Sequence, residues 1–175
     1  MKSFGGSVLL LDRADINTDE IIPAKYLTEA KKEALKPYLL EDLKLGGFAV
    51  NGPWRGTARV AVARANFGCG SSREHAAWAF EVNDITCVVA ESYARIFRQN
   101  MFNGGMLAIE LAPDSIDEIF ALGKGAPLSC AVGLDSKMLT FAWAGGRRDF
   151  PFALNEFDEA LVRSGGWVEF ADAKY

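Results

Sequence analysis

RVAVARANFGCGSSREHAAWAFEVNDITCVVAESYARIFRQNMFNGGMLAIEL, residues 59–111, is the stretch whose reading decides the fold. Arg59 to Ala65 is short and reads as a strand. Asn66 to Ser72 is a glycine turn, and Arg73 to Val82 reads as a helix. Ile85 to Ala90 is a continuous apolar run, the pattern of a strand buried on both faces. Tyr93 to Asn103 reads as a second helix, closed by Gly104 and Gly105, and Met106 to Leu111 as another strand. Strand–helix–strand–helix–strand requires at least part of the sheet to be parallel, joined by right-handed crossovers.

Working outward, Ser7 to Leu11 reads as a short strand. It runs into a polar turn, Asp12 to Asp19, dense in turn-forming Asp and Asn. Ile21 to Tyr26 is irregular or extended around Pro23. Thr28 to Leu45 is expected to be helical, interrupted at Pro37, and Gly46, Gly47, Gly52 and Pro53 mark a loop. After Pro113, Ser115 to Leu122 reads as a short helix. Leu128 to Leu134, Met138 to Trp143 and Arg148 to Phe152 read as strands. Asn155 to Arg163 is expected to be the final helix, capped by Asn155 or its predecessor and stopped by Gly165 and Gly166. A parallel α/β middle is therefore flanked by more β-rich ends.

The 175 residues amount to one domain, with half of them hydrophobic and enough apolar material for a core. A net charge of -4 disfavours a nucleic-acid partner, because phosphate contacts need clustered Lys and Arg. Cys69, Cys87 and Cys130 are widely spaced and form no C-x-x-C pair, so zinc, thioredoxin-like and iron–sulfur motifs are not indicated in this chain. A disulfide framework is not expected, which fits a reducing cytoplasm. Asp12 and Arg13 end the apolar run from Ser7 too early for a signal peptide or membrane helix.

Asn66-Phe67-Gly68-Cys69-Gly70-Ser71-Ser72-Arg73-Glu74-His75 carries the chemistry. Two glycines allow a tight turn and two hydroxyls open a helix, whose start offers unpaired N–H groups and the positive end of a dipole. That is a site for a carboxylate or phosphate, and Arg73 can grip a carboxylate through two parallel hydrogen bonds. The plainer alternative is that Ser71 or Ser72 only caps the helix and the glycines serve only the turn. The string lacks both the G-x-S-x-G nucleophile elbow and the P-loop spacing. His75 is the only histidine, too few for a metal site and poorly spaced from Ser71 for a triad. It is expected to bond nearby backbone or the Asp12–Asp19 turn.

Three blocks in order carry a resemblance. They are Asp15-Ile16-Asn17-Thr18-Asp19-Glu20-Ile21-Ile22-Pro23-Ala24, Asn66 through Ala76, and Ser92-Tyr93-Ala94-Arg95-Ile96-Phe97-Arg98-Gln99-Asn100 followed by Asn103-Gly104-Gly105. Together they resemble the small-subunit or swivelling-domain family of isopropylmalate isomerase, aconitase and homoaconitase, over roughly Leu9 to Leu111. The C-terminal third carries no such signature.

The resemblance implies an α/β fold, a three-layer β/β/α swivelling domain with a partly parallel central sheet spanning residues 1–175. It implies a larger partner subunit, in a heterodimer or heterotetramer, that holds a [4Fe–4S] cluster, and no cofactor on this chain. The implied reaction is reversible dehydration and rehydration of a hydroxy-dicarboxylic acid; from charge and hydropathy, neither nucleic acid nor membrane is expected as a partner. Ser71 matches the family's catalytic base, a serine alkoxide. Ser72 and Arg73 match ligands of a substrate carboxylate. Asp19 matches an aspartate supporting a catalytic histidine of the partner; the alternative for Asp19 is an Asx bond within its turn. Asn17 and Thr18 are expected to hold that turn, and Tyr93, Arg95 and Asn100 to serve packing and the interface between blocks.

The stretch after Pro23, Lys25-Tyr26-Leu27-Thr28-Glu29, matches the segment that faces the variable group of the substrate. Lys25 and Thr28 are its candidate substrate contacts. The absence of an arginine at Thr28 argues against a tricarboxylate, whose buried extra charge would need a cation, although Lys25 or Lys31 could supply one. A polar Thr28 is also a poor wall for an isopropyl group, so methyl- or dimethylmalate is a candidate beside isopropylmalate and citramalate. The alternatives are a homoaconitase or aconitase subunit, or a stand-alone carboxylate-binding regulatory module.

Overall fold

The structure is a computed structural model describing residues 1–175. Seven strands form one sheet in the order β4-β3-β2-β1-β5-β6-β7. Strands β1 (Gly6–Leu11), β2 (Ala58–Ala63), β3 (Cys87–Ala90) and β4 (Leu107–Glu110) are parallel, with Leu11 opposite Ala63, Val62 opposite Val89 and Ala90 opposite Glu110. The remaining strands, β5 (Ser129–Gly133), β6 (Met138–Trp143) and β7 (Gly146–Pro151), form an antiparallel meander that joins β1 through Ser7 opposite Ser129. The fold is mixed α/β and is consistent with a three-layer domain.

The apolar run that predicted a strand buried on both faces is buried throughout in β3. Helices α2 (Glu74–Val82) and α3 (Arg95–Asn103) make the crossovers β2→β3 and β3→β4. Because the parallel strands are laid down in sequence toward one edge, right-handed crossovers put both helices on one face. Leu9 and Leu11 are buried on that side. Leu10 points the other way, to helix α4 (Pro113–Leu122), where a Cβ on Gly123 would come within 2.2 Å of its Cδ1.

Three elements differ from the sequence-based expectation. Asn17 opens a short helix, α1 (Thr18–Ile21), through a reciprocal capping box with Glu20, where only a polar turn was predicted. Thr28 to Leu45 forms a 3-10 turn at Lys32–Tyr38 and no long helix, after a first 3-10 turn at Ala24–Tyr26. Leu35, Leu39 and Leu43 have helical spacing and are buried, but Pro37 withholds an N–H and Leu40 turns left-handed at φ 61°. The segment instead lies along α2. Its carbonyls are taken from outside: Asn83 Nδ2 donates to Lys36 O at 3.1 Å and Arg55 Nη2 to Leu39 O at 2.8 Å.

The helix from Asn155 is α5 (Glu156–Ser164), capped by Asn155 Oδ1 and stopped by Gly165 at φ 97° as predicted. It is not the final helix, because Gly166 at φ 131° restarts the chain as α6 (Trp167–Lys174). Gly105 explains the glycine pair after α3. Its φ is 73°, and a Cβ there would lie 2.5 Å from the Gly165 backbone, so two chain segments touch with no side chain between them. No helix is long and apolar enough to cross a membrane.

Candidate functional site

The chain leaves the carboxyl ends of β1, β2 and β3 in three neighbouring segments, and these are the three blocks of the sequence. Their backbones continue the sheet's pairing past its regular strands. Asp15 N donates to Ala65 O at 2.9 Å, Gly68 N to Ile16 O at 2.8 Å and Thr18 N to Cys69 O at 2.9 Å. On the other side of the middle segment, Phe67 N donates to Ser92 O and Ala94 N to Phe67 O, both at 3.0 Å. Side chains add Asn66 Nδ2 to Asp15 Oδ1 at 2.9 Å and Thr18 Oγ1 to Ser71 O at 2.8 Å. Phe67, fully buried against Phe80, Tyr93 and Phe97, pins the middle segment from below. Gly68 must be glycine: at φ 79° its Cβ would sit 2.3 Å from Phe97 Cγ.

Both serines are exposed, and neither hydroxyl forms a hydrogen bond within the chain. The N-cap of α2 is Arg73, in extended conformation, and it makes no side-chain cap. The plainer reading of Ser71 and Ser72 as helix caps is therefore not what the chain adopts. Arg73 instead forms an ion pair with Asp19. Asp19 is free to do so because Asn17 and Glu20 satisfy the α1 turn between them: Glu20 N donates to Asn17 Oδ1 at 3.0 Å. Glu20 is itself tied to Arg13 and accepts from Lys44 N at 3.0 Å. Burial pushes its carboxyl up, but the Arg13 hydrogen bond and the Lys44 N–H outweigh burial and hold it below the usual range.

Ser72 and Arg73 line a cavity of about 130 Å³ with Thr18, Gly70, Arg95 and Ile96. This is smaller than the roughly 300–1,000 Å³ of a complete small-molecule pocket. Asp19 also borders an open depression shared with Asn17, Glu20, Asp42 and Lys44. A larger hollow of about 350 Å³, between Leu10, Asp12 and the loop 45–54, contains none of the candidate residues.

Lys25 and Thr28 are exposed and do not line this cavity. Lys25 Nζ lies 5.2 Å from the centre of the Tyr26 ring, and Tyr26 together with Glu41 holds its pKa above the usual lysine value. Their segment is joined to the serine-bearing helix by His75, whose Nε2 sits 3.4 Å from Glu29 O. Of the two partners expected for His75, backbone is the one observed.

Tyr93 packs as expected, its single hydroxyl proton shared between Val88 O at 2.8 Å and Ile109 O at 2.9 Å. Arg95, expected to serve packing and the interface between blocks, is exposed and lines the cavity with Thr18 of the first block and Gly70, Ser72 and Arg73 of the second. Only its place at the first position of α3, immediately after the third block's extended segment, could have signalled this. Among the cysteines, Cys69 is half-exposed beside the site, while Cys87 and Cys130 are buried in β3 and β5. Burial pushes both buried thiols up, Cys130 to about 12. The three thiols are not gathered, and no group of His, Cys, Asp and Glu side chains has the arrangement to hold a metal ion.

With this geometry in place, comparison with known proteins is specific. The model of the Aconitase C-terminal domain family matches residues 6–114, which contain the three converging segments. The whole chain is similar to the crystal structure of 3-isopropylmalate dehydratase from Methanocaldococcus jannaschii. That likeness has a TM-score of 0.77 and 26% sequence identity, and covers 98% of this chain and 94% of the other.

Proposed function

The chain belongs to the Aconitase C-terminal domain family, and on that premise we propose that it is the small subunit of a hydro-lyase of the 3-isopropylmalate dehydratase type, active with a larger partner subunit. The observation that carries this reading is the pair of uncommitted hydroxyls, Ser71 and Ser72, beside the Arg73–Asp19 ion pair at the carboxyl edge of the parallel strands. The similarity to 3-isopropylmalate dehydratase along nearly the whole chain supports it.

In this reading Ser71, as the alkoxide, takes the proton from the carbon next to a substrate carboxylate. An alkoxide needs a strongly lowered pKa, and the start of α2 with the Arg73 guanidinium supplies stabilising positive charge. Ser72 and Arg73 hold the carboxylate, Arg73 through a bidentate pair that fixes the orientation of the acidic C–H. Asp19 supports a histidine of the partner, and to do so it must exchange Arg73 for that histidine when the two subunits close. A [4Fe–4S] cluster, expected on the partner, would supply Lewis-acid chemistry toward the departing hydroxyl when bound. The chain acts as a single swivelling domain in a heterodimer or heterotetramer, and its free thiols suit the cytoplasm. The place in metabolism is leucine biosynthesis if the acid is isopropylmalate.

The exposure of Thr28 favours a second reading of the substrate, since an exposed polar residue is no wall for an isopropyl group. Citramalate or dimethylmalate then fits as well, and homocitrate and citrate less well. The test is an anaerobic assay of this chain with and without a cluster-loaded large subunit, following the enoate by ultraviolet absorbance. Turnover only in the mixture supports the subunit reading, and the preferred acid identifies the substrate. A stable complex with an intact cluster and no turnover on any of these acids overturns it in favour of a carboxylate-binding regulatory module.

A further inference from the structure

One buried side-chain oxygen in the protein has no hydrogen-bond partner, Oε2 of Glu41. A carboxylate oxygen held out of water without a donor is costly, because nothing offsets its lost hydration. The other oxygen, Oε1, accepts from the Tyr26 hydroxyl at 3.1 Å. Tyr26 ends the first 3-10 turn and lies flat on Tyr38, which ends the second, with ring centres 3.8 Å apart and planes 6° from parallel. Glu41 N donates to Tyr38 O at 3.1 Å, and Leu40 N to Ile21 O at 2.8 Å. Glu41 thus clasps the start of the segment Lys25–Glu29 to the second turn.

Two cations stand near this carboxylate. Arg55 is committed to backbone, its Nε donating to Val50 O at 2.7 Å and its Nη2 to Leu39 O at 2.8 Å. Lys25 is not committed. Its ammonium forms no ion pair and rests 5.2 Å from the centre of the Tyr26 ring, where Tyr26, Glu41 and Asp42 hold it above its ordinary pKa. Of the two acids, Asp42 is exposed, so Glu41 is the one with an oxygen that gains by being met. Bringing them together takes a new lysine rotamer and a turn of the carboxyl about its terminal torsion, both soft motions.

We propose that Glu41 is a positioning residue that sets substrate class: as the segment Lys25–Glu29 meets substrate, the free oxygen of Glu41 takes the Lys25 ammonium and withholds it from the acid. This rests on the hydro-lyase reading, in which that segment faces the variable group of the substrate. A carboxylate on the variable group needs a cationic partner once it is buried. Thr28 is neutral, and Lys25 is the cation of the segment. With Lys25 drawn onto Glu41, a dicarboxylate is accepted, and homocitrate is refused because its cation is withheld.

The deciding measurement is a quotient, the Ki of homocitrate divided by the KM of the preferred dicarboxylate, in the enzyme assembled with its cluster-loaded large subunit. Glu41→Gln keeps an acceptor for Tyr26 and loses the charge that holds Lys25. It is expected to lower the quotient at least about tenfold, the worth of one charge-assisted contact. Glu41→Asp keeps the charge and should stay near the parent. Lys25→Met in the Glu41→Gln background should return the quotient to the parent value. A purely structural role for Glu41 lowers turnover, leaves the quotient unmoved, and overturns the proposal. A lowered quotient that survives Lys25→Met also overturns it, because a loosened segment and not a released lysine then admits the larger acid. A parent that prefers homocitrate overturns the proposal and leaves the hydro-lyase reading standing. A parent inactive on every hydroxy acid fails that reading itself, and the role of Glu41 falls with it.

Discussion

The parallel half of the sheet, β1 to β4, and the antiparallel half, β5 to β7, handle the same problem of burial in opposite ways. Val60 to Ala63 of β2 and all of β3 are buried, so these central parallel strands leave no face to vary. In β7 only Phe150 is buried, and in β5 only Cys130; each of these strands packs one side on the core and opens the other to water. The connections differ as well. Parallel strands need long crossovers, and every crossover begins at the same edge, so the loops after β1, β2 and β3 converge and can build a site. The meander turns back within Leu134–Lys137 and Ala144–Gly145, leaving nothing to converge. The family match ends at residue 114, near the point where the architecture changes, although the structural likeness continues over 98% of the chain. In the proposed function, chemistry would fix particular residues in one half, whereas packing asks only for a pattern in the other.

The sharpest way to break this contrast is at a serine in each half. Ser71→Ala is expected to lower kcat by about 10²- to 10⁴-fold, the range for loss of a positioned proton acceptor, with assembly and cluster intact. Ser136→Ala, in the turn between β5 and β6, should leave turnover unchanged. Steady-state kinetics of the reconstituted enzyme decide it; retention of most turnover by Ser71→Ala would remove the base from the converging loops. The next largest effect is expected where the halves meet. Gly105→Ala forces a side chain onto the Gly165 backbone in a left-handed conformation, and should cost about 3 kcal/mol in urea unfolding. A loss under about 1 kcal/mol would mean that the turn between α5 and α6 is only loosely seated.

What was legible in the sequence follows the same division. Residues 59–111 declared their strands because continuous apolar runs and glycine stops leave few other solutions, and Asn155 and Gly165 act as cap and stop where predicted. Helix α6 was not legible, because a glycine stop signals the end of a helix and not that Gly166 restarts one. Helix α1 hid in a run of turn formers, although Asn17 and Glu20 have capping-box spacing. The error over Thr28 to Leu45 was one of period: leucines four apart suit a helix, yet they are also buried by a 3-10 turn packed on α2. Local patterns did not bring Asp19 to Arg73, 54 positions away, and only the resemblance placed both at one site. Arg95 lies between the blocks as expected, but that it lines a cavity there was not legible, because a cavity is a tertiary object.

The buried support of the site gives a smaller, pH-dependent effect. Glu20→Gln removes the charge that Arg13 and Lys44 N–H hold, and should cost about 1–2 kcal/mol at pH 7. The folded carboxyl titrates below its ordinary 4.5. Its contribution is therefore fully present above the unfolded value and is lost as pH falls through the folded one. The two proteins should converge in stability below that range, which urea melts at pH 7 and at decreasing acid pH measure. A difference that persists unchanged into acid would assign the role of Glu20 to shape and not to charge.

The smallest effect belongs to the edge of the meander, where the contrast predicts almost nothing. Arg147 is exposed on β7, opposite Ala142, with no ion pair to lose. Arg147→Ala should shift stability by less than about 0.5 kcal/mol and leave KM and kcat unchanged. β7 is nonetheless an outer strand with unpaired backbone groups, and Arg147, Arg148, Asp149 and Pro151 are the kind of residues that keep such an edge from pairing with another chain. Arg147→Val should therefore match Arg147→Ala in turnover but associate at concentrations where the parent does not, as read by light scattering. Equal dispersity of all three proteins would show that the remaining charges and Pro151 guard the edge without Arg147. A change in KM would instead extend the functional surface into the antiparallel half and end the division on which these expectations rest.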